Sequence, residues 1–271
     1  MTDMTLANGW HRGVLELRQT FRTPKEPFGL LLNPATFIIV ASFQDSTPGA
    51  HRLIAGSIGS MLAMTSLTTL PQLLVTDRED GTLLRLRGTP GGMGSYLVAK
   101  TIHLMVMSLL TSMLLLLSGV LFIDMPLPAD LGHWAMLTWV LLLGIASVAP
   151  LGAAIGAVLP NPREALALVM LPVFALVSIS GIFFPVSSMP TVLQVIAKIF
   201  PIVWINQGLQ SALLPASAQV GQGNSLHIAG VLLGWTAIGF LIAPRLLMRM
   251  ARRQSGSRLA EGKERAAQRG Y

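Results

Sequence analysis

The chain contains no cysteine, which removes disulfides, thiol nucleophiles and thiolate metal sites together. Charge is scarce too: Asp, Glu, Lys and Arg make up 11% of the residues, against about 25% in a soluble domain. No G-x-x-x-x-G-K-[ST] loop occurs, so no Walker-type nucleotide site is expected in this chain. The five histidines, His11, His51, His103, His133 and His227, are scattered and form no H-E-x-x-H pattern, and no metal site is expected from them. Asp and Glu are missing from the interiors of the long apolar runs. That removes the acids of an intramembrane protease and the buried carboxylates of proton- or sodium-driven transport. An energy source, if there is one, has to lie in another molecule.

What the chain has in quantity is hydrocarbon. Of 271 residues, 52% are hydrophobic, and the mean hydropathy is +0.63. Apolar runs long enough to cross a core of roughly 30 Å recur along the sequence, which predicts an all-α polytopic membrane protein. Six spans are expected: Phe28–Phe43 (interrupted by Asn33-Pro34), Leu53–Val75, Thr101–Ile123, Trp134–Val158, Ala165–Phe184 and Leu226–Leu247. Residues 1–27 read as a polar N-terminal segment without the apolar core of a cleavable signal, so the first span would double as the insertion signal. Residues 28–248 read as the six-span domain and 249–271 as a basic tail, mobile and drawn to anionic lipid.

Lys and Arg set the orientation, because positive loops stay on the cytoplasmic side. With both termini in the cytoplasm, every one of the 19 basic residues except Arg52 and Lys198 falls on an inner segment. The formal charge of +7 is thereby placed beside lipid headgroups, and nucleic acid is not expected as a partner. In the N-terminal segment Val14, Leu17 and Phe21 share a helical face, which suits an interfacial helix. Between spans 5 and 6, prolines at 185, 190, 201 and 215 break an apolar stretch into two amphipathic half-helices dipping into the outer leaflet. One carries Val192, Ile196, Ile199 and Phe200 as its stripe, the other Ile202, Ile205 and Leu209. Gly56, Ser60 and Met64 share a face of span 2, and Gly152 and Gly156 a face of span 4, at a spacing that permits close helix approach.

One segment departs from this economy of charge. Between spans 2 and 3, VTDREDGTLLRLRGTP packs six charges between Asp77 and Arg87. Asp80 or Thr82 can cap a short helix there and Pro90 ends it; Leu83 and Leu86, three apart, share one face. A two-turn helix is marginal alone, so something must pack on its leucines. Composition leaves two choices: a helix lying on the membrane, or one docked in a groove of a cytoplasmic protein.

The motif itself resembles the signature after the second span of ABC exporter permeases of the drug- and polysaccharide-export (daunorubicin-resistance-like) class, E-R-E-x-G-T-L-E-x-L-x-x-T-P. Arg78, Glu79, Gly81, Thr82, Leu83, Leu86, Thr89 and Pro90 match it; Asp77 replaces the first Glu, and Leu84 stands where the pattern has Glu. SGIFFPVSSMP, from Ser180 to Pro190, is similar to that class's S-G-x-F-F-P-x-x-x-M-P, and FPIVWINQGLQSAL to its next segment, with Phe200 in place of Asn. The resemblance implies a permease subunit that pairs with a second copy or a related permease and docks on a separate ATPase subunit, where ATP and Mg would bind. The coupling helix would comprise Asp77, Arg78, Glu79, Asp80, Gly81, Thr82, Leu83, Arg85 and Leu86, with Leu83 and Leu86 as apolar anchors on the ATPase. A path between the two copies would be lined by Met61, Met64, Thr65 and Thr68 of span 2 and by Phe174, Ser178 and Phe183 of span 5. Such an apolar path suits drugs or lipids moved outward across the plasma (inner) membrane. The alternative is a membrane scaffold that recruits a cytoplasmic partner through the same helix and transports nothing.

Overall fold

The computed structural model describes residues 2–22, 25–44, 46–79, 82–89, 92–159, 162–215 and 224–268, and every regular element among them is helical. Helix α1 (Thr2–Arg22) precedes α2 (Lys25–Ser42). Next come α3 (Thr47–Met64), a π-helical turn (Thr65–Thr69) and α4 (Leu70–Glu79). A short α5 (Thr82–Arg87) leads into the long α6 (Gly92–Ile123) and α7 (Leu131–Val158). Helices α8 (Pro162–Ser178), α9 (Thr191–Ile199), α10 (Pro201–Leu213) and α11 (Ser225–Gln268) complete the chain. Helix α7 is the axis of the bundle, with α3, α4, α6, α10 and α11 packed round it.

Among the described residues, four helical stretches are long and apolar enough to cross a membrane: Thr47–Asp77, Val98–Ile123, Leu131–Val158 and Ser225–Leu247. They fall on the second, third, fourth and sixth predicted spans. Helices α2 and α8 cover the first and fifth but are shorter, at 18 and 17 residues. Helix α8 stops at Ser178 rather than Phe184 because Gly181 adopts φ +91°, a left-handed turn that glycine takes without steric cost. The two pieces expected between spans 5 and 6 are present as α9 and α10, bent by 89° where extended Phe200 meets Pro201. Residues before proline avoid the helical region, so the break is local chemistry. Ile202, Ile205 and Leu209 are buried as their spacing suggests, while Val192, Ile196 and Ile199 of α9 face outward.

Helix α7 begins at Asp130, whose carboxylate accepts from the His133 amide and from its ring, both at 2.9 Å. Those bonds hold the exposed Asp130 carboxyl below its ordinary range. At the same end of the bundle His51 Nε2 donates to the Ile123 carbonyl at 3.0 Å and ties α3 to the end of α6. Helix α11 runs on beyond the apolar span into the basic tail and ends at Gln268. Its Ala, Glu, Arg, Lys and Gln residues are good helix formers, and extending an existing helix needs no new nucleus.

The π turn has a sequence cause. Pro71 has no N–H to offer the Leu67 carbonyl, and Thr68 Oγ1 donates back to the Met64 carbonyl at 2.6 Å, competing with the regular ladder. The widened turn lies where span 2 crosses α7 at its closest. A Cβ on Gly152 would fall onto the Ser66 carbonyl, and one on Gly156 would lie 2.8 Å from the Pro71 Cα. The glycine pair thus lets the backbones touch, a contact made by van der Waals packing rather than by exclusion of water. Gly152→Ala is therefore expected to destabilise the chain by about 1–3 kcal/mol through overpacking, read as a lower melting temperature in detergent. Gly234→Ala, whose added methyl meets nothing within 4 Å, should melt like the wild type; equal melting of both variants would contradict the tight crossing.

Candidate functional site

The charged segment between the second and third predicted spans forms α5, held at one end of the bundle against α4, α6 and α11. Leu83 is buried in the core of this chain, and Leu86 packs partly against it. This changes the expectation that both leucines anchor a partner: a six-residue helix cannot hold itself together, and its apolar face is used to seat it on its own bundle. Arg85, Gly88 and Thr89 are exposed, and Thr82 is half-buried. Asp80 and Gly81 lie outside the described residues, as do the side chains of Arg78 and Glu79. The Gly-Thr that follows α5 has a clear job. Thr89 donates its amide and its hydroxyl to the Leu86 carbonyl, at 3.2 and 2.8 Å, and so closes the last turn.

Asp77 belongs to an ion cluster that the sequence alone did not disclose. Lys100 Nζ of α6 lies 3.0 Å from Asp77 Oδ2 on α4 and 3.1 Å from Glu16 Oε2 on α1. Arg12 Nε donates to the other Glu16 oxygen at 3.2 Å, and Tyr96 OH donates to Asp77 Oδ2 at 2.7 Å. The Arg12 guanidinium and the Lys100 ammonium lie 5.4 and 5.5 Å from the Tyr96 ring centre, within cation–π range. Tyr96 is fully buried. Burial, and then the Asp77 carboxylate, push its phenol far above the ordinary range, so it stays protonated and keeps donating. The side chains of Lys100, Glu16 and Asp77 are only 10%, 18% and 21% exposed, so solvent screens these pairs much less than it would on an open surface.

Three helices meet in this cluster because α1 lies directly on α6. A Cβ on Gly9 would stand 2.7 Å from Val98, and one on Gly13 3.2 Å from Ile102. The segment read as an interfacial helix is thus docked on protein, with Val14 and Leu17 half-buried and Phe21 exposed. Two signals could have shown the site: the Gly9–Gly13 spacing, and Glu16, an acid one turn beyond Arg12 amid basic residues.

The other expected set is divided. Thr65 and Thr68 lie in the π turn, with Thr68 buried and Met61, Met64 and Thr65 half-buried. Helix α8 packs against this turn and against α3 and α4. Phe174 and Phe183 point outward, and Ser178 donates to the Phe174 carbonyl at 2.9 Å. Beside them the Ser180-Gly181 turn is clamped by α10. Asn206 Nδ2 donates to Ser180 Oγ at 2.7 Å and Gln210 Nε2 to the Gly181 carbonyl at 3.3 Å. A side chain on Gly59 of α3 would collide with Asn206 Oδ1. The two successive motif segments, Ser180–Pro190 and that from Phe200, therefore meet through hydrogen bonds at the far end of span 2.

A family model described as ABC-2 family transporter protein matches residues 16–244. A search of curated proteins gives no significant match.

Removing Lys100 would leave the half-buried Asp77 carboxylate without a cation and facing Glu16, which keeps only Arg12. Lys100→Met is expected to cost about 3–5 kcal/mol, seen as early melting of the purified chain. The double variant Lys100→Met with Asp77→Leu should recover part of that loss; equal melting of single and double variants would show that the bridge is not made.

Proposed function

Because the chain belongs to the ABC-2 family of transporter proteins, which its family model covers over residues 16–244, we propose that it is the membrane subunit of an ATP-driven exporter whose ATPase is a separate chain. In this reading all six predicted stretches cross the membrane, the α5 end faces the cytoplasm, and α9 and α10 dip into the outer leaflet. Two such permeases, identical or related, enclose the path, with Met61, Met64, Thr65, Thr68, Phe174, Ser178 and Phe183 on the facing surfaces. The cargo is a drug- or lipid-like amphiphile moved outward across the plasma (inner) membrane, and ATP with Mg stays in the partner.

The observation that carries the reading is the way α5 is mounted. Moving a two-state bundle from 1:99 to 99:1 takes roughly 5.5 kcal/mol of differential binding, more than one exposed ion pair supplies. A lever for such a push must be fixed to the spans at its root and open at its tip. Leu83 is buried in the bundle core and Asp77 is tied to α1 and α6, while Arg85 and Thr89 face outward. The segment Asp77–Pro90 would meet the ATPase with this outward side, and Arg78, Glu79, Asp80 and Arg85 would fix its orientation.

Affinity isolation from native membranes in mild detergent should bring down a nucleotide-binding chain in stoichiometric amount. Arg85→Glu is expected to weaken that association at least tenfold, a loss of about 1.4 kcal/mol, while the chain stays folded at working temperature. Leu83→Asp should lower the melting temperature itself, because it places a charge in the core. Recovery of the chain with no ATPase, under conditions that keep other membrane complexes intact, would favour the scaffold reading instead.

A further inference from the structure

Behind the ion cluster lies an apolar cavity of about 170 Å³. Its floor is α4 and α7, with Leu74 and Ala149 among the lining, and its sides are α6 and α11. It reaches the outside between Met105 of α6 and Phe240 of α11, past Ala146 of α7, where the lining residues are half-buried or exposed. None of the residues placed on the path of the proposed exporter lines it.

Three features identify an occupant. The wall is almost wholly hydrocarbon, and an apolar cavity of about 150 Å³ stays dry and accepts a benzene-sized group. The lining runs along α7 from Leu142 to Ala153, about 16 Å at 1.5 Å per residue, close to the depth of one leaflet of a roughly 30 Å core. The polar groups Tyr96 and Lys100 stand at the end nearest α5, where the headgroups of that leaflet lie. We propose that this crevice takes up a segment of one acyl chain of a phospholipid from the leaflet on the α5 side. The headgroup is not selected by charge, since Lys100 is already shared between Asp77 and Glu16. The bound chain packs beside Tyr96 and Lys100, and so braces the cluster that seats α5. This site does not depend on the chain exporting anything.

The test uses the full chain in nanodiscs of phosphatidylethanolamine and phosphatidylglycerol, doped with phosphatidylcholine carrying a photoactivatable diazirine in one acyl chain. Labelled residues are mapped by mass spectrometry as the mole fraction of probe rises. Leu241, next to Phe240 in sequence and 59% exposed, reports ordinary contact with bulk lipid. Labelling at Met105, Ala146 and Phe240 should saturate while labelling at Leu241 keeps rising in proportion, and Ala146→Phe should bring Met105 down to the Leu241 level. Proportional labelling at all four positions would overturn the proposal. So would absence of label at the crevice, as when a second copy covers its mouth, or labelling unchanged by Ala146→Phe. If that variant does not fold, the wild-type saturation curve decides alone.

Discussion

Lys100 places one ammonium between two carboxylates that belong to different helices, and the position of α5 follows from that contact. Asp77 closes span 2 and would be half-buried without an opposite charge, while Glu16 on α1 already holds Arg12 through one oxygen and offers the other. The lysine resolves both, and Tyr96 takes up a further lone pair of Asp77. A short helix that begins five residues past Asp77 then inherits a fixed starting point. With Leu83 buried below and the Thr89 hydroxyl closing the last turn, six residues that would not hold a helix alone become a rigid feature of the bundle.

The two ends of the bundle are built from different chemistry. At the α5 end the fastening is ionic and involves α1, an element outside the long spans. At the other end it is made of neutral hydrogen bonds: Asn206 and Gln210 on the Ser180-Gly181 turn, His51 on the Ile123 carbonyl. Between the two ends the helices meet most closely by shape where Gly152 and Gly156 reach the π turn.

Much of the architecture was legible in the sequence because hydrocarbon length and charge placement are strong constraints in a bilayer. The four long crossings, the break at Phe200-Pro201 and the glycine face of α7 follow from residues within each segment. What the sequence withheld depends on segments distant in the chain. Nothing local to Leu83 says whether its partner is this bundle or another protein, and nothing local to Lys100 says that it faces two acids. The early end of α8 was readable in principle, since Ser180-Gly181 is a turn signal, but the apolar Ile182, Phe183 and Phe184 beyond it masked the stop.

The π turn at Thr65–Thr69 also sets an angle. It holds one residue more than an α-helical path of the same rise would need, and one residue corresponds to about 100° of rotation. Everything downstream is turned by that amount relative to α3. The face that presents Gly56 and Gly59 to the outer turn is therefore out of phase with the face that presents Leu74 and Asp77 to α6. Without the surplus residue Asp77 would point about a quarter-turn away from Lys100. The clock position of α5 is thus written in a threonine-rich stretch several turns above it, and deleting a single residue there would misalign the cytoplasm-facing lever of the proposed exporter while leaving every span long enough to cross.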